Sequence, residues 1–213
     1  LLKKASSCCL TQEVAPRNRY VGAMLPYTPL HHLLMRFGFT ALVMTSGNRS
    51  EEPIAIANDD AFARLADIAD AFLIHDRDIY LRSDDSVVRW AAGAARFLRR
   101  SRGYVPVPVF LKQPLPPILA CGAELKNTVC LTRGGQAFVS QHIGDLENLS
   151  TYEFFQKTIG HMQRILAVRP EIIACDLHPD YLSTRWADEQ KNTPKVRVQH
   201  HHAHIVSCMA EHR

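Results

Sequence analysis

The sequence contains no apolar stretch near the length of about 20 residues that a membrane-spanning helix needs, and we expect no signal peptide. Long runs of Lys or Arg are also absent, and the formal net charge of +4 is only a mild basic excess. Such a charge suits small anions such as nucleotides as well as it suits nucleic acid. We therefore expect no membrane partner, and the charge alone does not favour a polyanion.

The sequence also lacks a CxxC motif. Most of the cysteines lie in apolar, strand-like runs, which is typical of reduced thiols in the core of a cytoplasmic protein. The cysteines are Cys8, Cys9, Cys121, Cys130, Cys175 and Cys208.

Proline, by contrast, is concentrated near the middle of the chain, between Arg102 and Pro117. Each proline removes a backbone donor and fixes φ, so we expect no helix or central strand here but a semi-rigid, polyproline-like spacer. With 213 residues, the chain has room for one packed domain on either side. Because it begins at Leu1 without Met and stops at Arg213 inside a predicted helix, we expect a piece of a longer protein.

The first half alternates helix and strand signals. Thr28 followed by Pro29 predicts the start of a helix that runs through Arg36, and Gly38 stops it. Further along, the sequence predicts a buried strand at Thr40–Met44, a helix at Asp59–Ala69 capped by Asn58, a strand at Ala71–His75, and a hairpin around Gly93 with arms Val87–Trp90 and Arg96–Arg99.

A polar loop, 45–53, follows the predicted strand at Thr40–Met44. Ligands of open α/β sheets bind at the carboxyl ends of strands. In this loop Ser46 and Asn48 can point to one side, while Gly47 lets a ligand approach the main chain. The loop is therefore a candidate ligand site, and the alternative is a plain turn built from residues that turns prefer.

Arginines are grouped just before the proline-rich segment, at Arg99, Arg100 and Arg102. Guanidinium groups at a strand end can bind phosphate or carboxylate in a bidentate way. A solvated surface stripe is the alternative.

In the second half, Lys126 lies in a bend between two predicted strands. Backbone amides and one charged side chain in such a bend can cradle phosphate, although Gly and Lys are also common in turns. The predicted elements are strands at Ile118–Gly122, Thr128–Thr132 and Gln136–Ser140, a turn at Gly134-Gly135, a helix from a capping box at Ser150–Glu153 to about Val168, a strand at Ile172–Cys175, a helix at Ser183–Gln190, a strand at Lys195–Gln199 and a terminal helix.

Imidazoles are concentrated in the terminal element, 199–212. If it is helical, His200 and His204 lie one turn apart on one face, where both can bind one metal ion. A third ligand would come from another loop or from residues after Arg213. Histidines that fill polar niches of a core helix are the alternative.

Seven short motifs occur in order along nearly the whole chain: 25–34, Thr45–Asn48 with Glu52–Ile54, Asp84–Arg89, Arg100–Tyr104, Gln141–Leu146, Asp176–Tyr181 and Gln199–His204. Together they resemble the HypF family, the carbamoyltransferases of nickel–iron hydrogenase maturation.

The resemblance implies an α/β fold with two partial domains. Residues 1–111 would be the carboxyl-terminal part of a YrdC-like twisted-sheet domain, 112–117 a proline-rich linker, and 118–213 the amino-terminal part of a TsaD-like domain with the actin/Hsp70-like ATPase fold. The acylphosphatase domain, the zinc-finger region with its zinc, and most of the second ATPase lobe would lie outside this sequence.

The activity implied by the resemblance has two steps. In such enzymes the first domain makes carbamoyl-adenylate from carbamoyl phosphate and ATP, and the second passes the carbamoyl group to the carboxyl-terminal cysteine of the partner HypE. The expected cofactors are ATP, Mg²⁺ and a divalent metal, Fe or Zn, at the histidine pair. A cytoplasmic location is expected, and nucleic acid is not expected as a partner.

The resemblance also implies roles for single residues. Ser46 and Asn48 match the Ser-x-Asn of YrdC-like nucleotide sites, and Ser86 falls where that family has the Thr of a Ser-Thr-hydrophobic motif. Arg100 or Arg102 would match its phosphate-facing arginine, and the choice is open because the spacing to the following glycine differs.

In the second domain, His200 and His204 match the metal-binding His-x-x-x-His of TsaD-like domains, whose third ligand, an Asp, would lie after Arg213. Lys126 remains a candidate for nucleotide phosphates, and no residue is assigned as catalytic. Two other functions are considered: an RNA-binding or tRNA-modifying module, since both domain types occur in that pathway, and a non-enzymatic metal-binding scaffold.

Overall fold

A computed structural model describes residues 1–7, 10–50 and 52–211. The chain divides into two compact units, one of Leu1–Ser46 with Ser86–Arg99 and one of Gly47–Asp85 with Arg100–Arg213. In the described part of the chain, no helix combines the length and apolar character needed to cross a bilayer. The domain boundaries inferred from the resemblance follow a different division and stay a prediction.

The first unit contains two small antiparallel sheets. β1 (Leu2–Lys3) pairs with β2 (Tyr20–Val21), and β3 (Val87–Ala91) pairs with β4 (Ala94–Arg99). The turn between β3 and β4 contains Gly93 with a φ of 73°, a conformation that tight hairpin turns require. The predicted hairpin is therefore confirmed.

A helix, α1 (Pro29–Met35), follows a 3-10 helix at Gln12–Val14. The Thr28 hydroxyl accepts a hydrogen bond from the His31 N–H at 3.2 Å, which satisfies one of the unpaired donors of the first turn. Beyond the helix, Gly38 has a φ of 87°. The predicted start and stop of this helix are confirmed.

Two predicted strands are wrong. Neither Thr40–Met44 nor Ala71–His75 has regular secondary structure, and Val43 and Leu73 are 76% and 74% exposed. A strand needs a hydrogen-bonded neighbour, and no strand of the described residues pairs with either segment. Apolar β-formers alone do not make a strand.

The first helix of the second unit, α2 (Asn58–Leu65), is shorter than predicted. Its N-cap is Ala57, so the predicted cap at Asn58 is wrong. The Asn58 side chain instead donates to the backbone carbonyl of His75 at 3.0 Å. This contact ties the helix start to the segment that follows it.

A five-stranded sheet with the order β5-β7-β6-β8-β9 organises the second unit. β6, β8 and β9 run parallel to one another, whereas β7 pairs antiparallel with both β5 and β6. The strands are β5 (Val109–Leu115), β6 (Ile118–Ala120), β7 (Cys130–Val139), β8 (Ile172–Asp176) and β9 (Lys195–Val198).

The prediction of a polyproline-like spacer is wrong for Val109–Leu115, because this segment is the edge strand β5. Pro114 lies within it. An edge strand tolerates proline because one of its sides has no hydrogen-bond ladder to interrupt. The register with β7 is irregular between Phe110 and Leu115.

The chain reverses inside β7. Ser140 N–H donates to the Val129 carbonyl at 2.8 Å. If the 10 residues of β7 formed one straight strand, these flanking residues would instead lie about 36 Å apart. Gly134, with a φ of 58°, lies midway between them. The hairpin predicted at Gly134-Gly135 is therefore present.

Helix α3 begins with a different cap from the predicted box at Ser150–Glu153. The Asn148 side chain accepts from the Ser150 N–H at 2.9 Å, and Thr151 is buried. The remaining helices of this unit are α3 (Leu149–Leu166), α4 (Leu182–Glu189) and α5 (His200–Glu211).

The core of this unit lies between the sheet and helices α3 and α4. Burial of apolar side chains is the main stabilising contribution to such a layer. Its largest fully buried apolar side chains are Phe155, Leu119, Leu131, Leu146, Ile173 and Val129.

Three of the cysteines are confirmed as reduced thiols of the interior. Cys121 and Cys175 are buried and Cys130 is half-buried, and none forms a disulfide. Burial raises the pKa of Cys121 to about 12 and that of Cys130 to about 11, so both stay protonated and unreactive. The prediction is wrong for Cys208, which is exposed, and the pair Cys8-Cys9 lies outside the described residues.

Candidate functional site

The histidine pair lies where two parallel strands end. β8 ends at Asp176, and β9 ends at Val198, just before α5 begins at His200. Because Asp176 and Val198 are partners in the sheet, the start of α5 lies beside the Asp176 carboxylate. The edge formed by the carboxyl ends of parallel strands is where α/β proteins place their sites.

His200 and His204 face each other, as predicted from their spacing. Their Nε2 atoms are 3.1 Å apart, and the ring centroids are 4.7 Å apart. His200 Nδ1 lies 2.7 Å from Asp176 Oδ2. Both histidines are exposed, whereas Asp176 is only 9% exposed. The pair is therefore accessible to a ligand, and the buried Asp176 carboxylate holds the His200 ring in place.

Asp176 is fixed by its own neighbours. The His178 N–H donates to Asp176 Oδ1 at 2.9 Å, and the Thr184 hydroxyl donates to the Asp176 carbonyl at 3.2 Å. Tyr181 stacks on His178 with centroids 4.3 Å apart, and its ring meets the His200 ring at 6.2 Å. No role for Asp176 or Tyr181 was predicted from the sequence. An aspartate at the end of a buried strand was the available signal.

The donor set fits a divalent transition metal. Two nitrogen atoms that bind one zinc ion tetrahedrally at about 2.0–2.1 Å lie about 3.3 Å apart, close to the 3.1 Å between these Nε2 atoms. Imidazole suits both zinc and iron. Among the described residues, no group of three or more His, Cys, Asp or Glu is arranged to hold a metal. The structure thus brings together two ligands, and metal binding stays a prediction.

Lys126 lies in the bend between β6 and β7. Its backbone has a φ of 50°, its N–H donates to Asp145 Oδ1 at 2.6 Å, and its side chain is exposed. The neighbouring Asn127 is buried, and its amide donates to the carbonyls of Cys121 at 2.9 Å and Ala123 at 2.5 Å. The bend is therefore held from inside by Asn127 and presents Lys126 to solvent.

The same bend is tied to α4. Glu124 Oε2 accepts from the Leu182 N–H at 2.7 Å, and the Ser183 hydroxyl donates to the Gly122 carbonyl at 3.2 Å. Burial raises the pKa of Glu124. Glu124 and Asn127 were not predicted from the sequence, because neither residue is distinguished by its spacing from an ordinary turn residue.

Asn48 stabilises its own loop. Its side-chain amide donates to the carbonyls of Arg49 at 2.8 Å and Glu52 at 3.1 Å, and the Ala55 N–H donates to the Gly47 carbonyl at 2.9 Å. These bonds close the loop as a turn would. Ser46 is exposed and belongs to the other compact unit. These internal bonds do not test whether the loop binds a ligand, and that role stays a prediction.

The predicted arginines contact nearby main chain. Arg100 Nη2 donates to the Val107 carbonyl at 2.7 Å. Arg102 Nη2 donates to the Ser83 carbonyl at 2.8 Å, and its Nε lies 3.6 Å from Asp85 Oδ1. Ser86 is half-buried and directly precedes β3 in the first unit. Which arginine would face phosphate stays open.

A cavity of about 420 Å³ lies beside α2 and the first turn of α3, and none of the predicted site residues lines it. Arg82 is its most enclosed charge: Nε donates to the Ile54 carbonyl at 2.6 Å, and burial lowers its pKa. The Arg64 guanidinium lies 2.7 Å from Glu52 and 2.8 Å from Asp60. These arginines thus have partners within the protein.

Comparison with known protein families gives two matches in chain order. Residues 1–101 match the Sua5, YciO and YrdC family, which is described as telomere recombination. Residues 113–211 match the family described as the HypF Kae1-like domain. The chain is therefore a two-domain α/β protein, with a YrdC-like segment followed by a partial Kae1-like lobe of the actin/Hsp70 type, as the resemblance implied.

Individual relatives are similar over nearly the whole chain. The carbamoyltransferase HypF of Synechocystis sp. is 48% identical over 100% of this chain, and that of Rhizobium leguminosarum bv. viciae is 49% identical over 94%. The chain belongs to the HypF family. It spans 28% and 27% of the length of these two relatives.

Solved structures agree with this assignment. The crystal structure of T. kodakarensis HypF matches 99% of this chain with a TM-score of 0.92 and 40% identity, over 28% of that chain. A full-length HypF in the phosphate- and nucleotide-bound form matches 90% with a TM-score of 0.85 and 51% identity, over 30% of that chain.

Proposed function

We propose that the chain is part of an ATP-dependent carbamoyltransferase of hydrogenase maturation. The whole enzyme would convert carbamoyl phosphate and ATP to carbamoyl-adenylate and transfer the carbamoyl group to the carboxyl-terminal cysteine of HypE, in the cytoplasm. The observation that supports this most is the 48% identity with a carbamoyltransferase HypF over the full chain.

The first step would take place at the YrdC-like segment, with Ser46, Asn48, Ser86 and either Arg100 or Arg102 around ATP. Support comes from the loop of Asn48, which is already closed by its own hydrogen bonds and needs little ordering on binding. Adenylation creates a good leaving group and needs donors for an anionic intermediate rather than a protein nucleophile. Hydroxyl and guanidinium groups would supply such donors, whereas both N–H groups of the Asn48 side chain are already used within the loop.

The second step would take place at the Kae1-like segment. His200 and His204 would hold a divalent metal, Fe or Zn, and Lys126 would lie toward nucleotide phosphates together with Mg²⁺. A metal there would bind nucleotide phosphates or polarise the carbamoyl oxygen. The 3.1 Å separation of the two Nε2 atoms supports a shared ligand, and the exposed ring edges leave room for substrate.

ATP consumption by the full-length protein tests this proposal. We expect ATP consumption to require carbamoyl phosphate. When the carbamoyl phosphate is radioactive, we expect the label to appear on HypE. ATP consumption that does not depend on carbamoyl phosphate would contradict the proposal.

A tRNA-modifying or RNA-binding module is the second candidate, favoured only by the match of residues 1–101 to a family that includes Sua5 and YrdC. Filter binding of tRNA at several salt concentrations distinguishes it, because phosphate contacts give a steep dependence of affinity on salt. We expect weak binding, and tight, steeply salt-dependent binding would favour the module. A metal-binding scaffold without activity would consume no ATP.

A further inference from the structure

Asp176 has a different partner on each carboxylate oxygen. Oδ1 accepts from the His178 N–H at 2.9 Å, and Oδ2 lies 2.7 Å from His200 Nδ1. The residue is the last of β8, whose backbone is paired with β6 on one side and β9 on the other. The carboxylate is therefore mounted on the sheet rather than on a flexible loop.

The chemistry of these contacts fixes the proton on His200. A carboxylate accepts hydrogen bonds and does not donate them, so a neutral His200 must carry its proton on Nδ1 to bond with Oδ2. Nε2 of the same ring then carries no proton and presents its lone pair. The bond from His178 to Oδ1 holds the carboxylate plane, so that Oδ2 continues to face the ring.

The lone pair of His200 Nε2 points toward His204, whose Nε2 lies 3.1 Å away. Asp176 itself cannot share a ligand with these two atoms, because it contacts the opposite nitrogen of the His200 ring. Its role must act through the imidazole.

We propose that Asp176 is a positioning residue that holds His200 in the Nδ1–H tautomer, so that Nε2 is presented, together with His204 Nε2, to a divalent metal. This inference rests on the proposed metal binding by the histidine pair. It adds a residue 24 positions before His200, in the chain segment that leads into α4, to the machinery of the transfer site.

An Asp176→Asn variant of the full-length protein tests the inference, because the side chain keeps its size but gains a donor. Its carbonyl oxygen is needed for the His178 N–H, so its NH₂ faces His200 Nδ1. His200 must then accept at Nδ1 and carry its proton on Nε2, which disfavours metal binding at that atom. Asp180→Asn, in the same loop but exposed and paired with Arg185 at 3.0 Å, is the matched control.

Zinc affinity is the first readout, measured by competition with a chelator. Zinc bound at this site is defined as the zinc that the unmodified protein binds and His200→Ala does not. This difference excludes zinc bound elsewhere in the protein. We expect Asp176→Asn to weaken this fraction about 10- to 100-fold, the usual effect of removing a partner that orients a ligand, and Asp180→Asn to leave it unchanged.

The tautomer of His200 is the second readout, from long-range nitrogen–proton correlation spectra of protein labelled with ¹⁵N-histidine and assigned with His200→Gln. We expect Nδ1–H in the unmodified protein and Nε2–H in Asp176→Asn. An Nε2–H tautomer in the unmodified protein overturns the inference, even if the variant does not fold. Unchanged zinc affinity in Asp176→Asn also overturns it but leaves the metal site intact. Zinc that is not lost in His200→Ala contradicts the proposed metal site and the inference together.

Discussion

Gly122 occupies a position that no other residue can take without strain. Its φ is 67°, and a Cβ built there would lie 2.3 Å from the Thr128 carbonyl oxygen and 2.8 Å from the Asn127 amide nitrogen. Neither atom can easily move aside, because Asn127 is buried and the Thr128 oxygen belongs to the backbone. The backbone of the bend that presents Lys126 therefore depends on this glycine.

We expect Gly122→Ala to destabilise this bend by at least about 1–2 kcal/mol from the left-handed conformation alone, with the clash adding to it. Faster hydrogen exchange of residues 122–128 and a lower melting temperature of the full-length protein would show this. Gly135→Ala is the control, because its Cβ would have no atom within 4 Å. Equal effects of the two substitutions would contradict this account of the bend.

For single residues, spacing in the sequence predicts contacts between residues that lie close together in the chain. His200 and His204 face each other because a helix places i and i+4 on one side, and the sequence is enough to see this. Asp176 could not be predicted in the same way. Its contact with His200 depends on the register of β8 with β9, which pairs Asp176 with Val198, and no local pattern encodes that register.

At the scale of elements, Tyr80 lies against the helix α3. The Lys157 ammonium donates to the Tyr80 carbonyl at 3.0 Å, and the Arg164 guanidinium donates to the Tyr80 hydroxyl. The His161 ring lies 5.4 Å from the Tyr80 ring. Burial and the positive charges of Arg164 and Lys157 lower the pKa of His161 below its usual value of 6.5.

The lowered pKa predicts that this contact weakens in acid. The fold holds His161 neutral, so its contribution is complete above pH 6.5 and is lost as the pH falls from 6.5 through the folded pKa. We expect residues 76–82 to exchange amide hydrogens faster at pH 5.5 than at pH 7.5, after correction for intrinsic rates. His161→Gln should remove most of this difference, and an undiminished difference in that variant would contradict the assignment.

The helices and turns that were predicted correctly contain residues that mark their own starts, stops or bends. Thr28 and Pro29 mark a helix start, and Gly93 and Gly134 mark turns. The strands predicted at Thr40–Met44 and Ala71–His75 failed because a strand is defined by its neighbour, and the apolar pattern gives no information about that neighbour. Pro114 was wrongly predicted to interrupt a strand, because β5 lies at the sheet edge and pairs on one side only among the described residues.

In the whole molecule, the order of the motifs predicted the family correctly, whereas the local patterns predicted only some of the helices and strands. Motifs from Thr45–Asn48 to Gln199–His204 are distributed over both matched segments, 1–101 and 113–211. The combination of motifs identifies the family even though some of the secondary structure predicted between them was wrong. The compact units of the chain were not predictable in this way, because the second one joins Gly47–Asp85 to Arg100–Arg213 across a segment that belongs to the first.

We propose that activation and transfer use different clusters, one around Asn48 and one around His204. The direct test measures ATP consumption and label on HypE in one assay of the full-length protein, with radioactive carbamoyl phosphate. We predict that Asn48→Ala lowers both about 100-fold or more, whereas His204→Ala retains ATP consumption and loses label on HypE. His201→Ala, an exposed neighbour, is the control and should retain both. Equal loss of ATP consumption in Asn48→Ala and His204→Ala, or label on HypE in His204→Ala, would contradict the account.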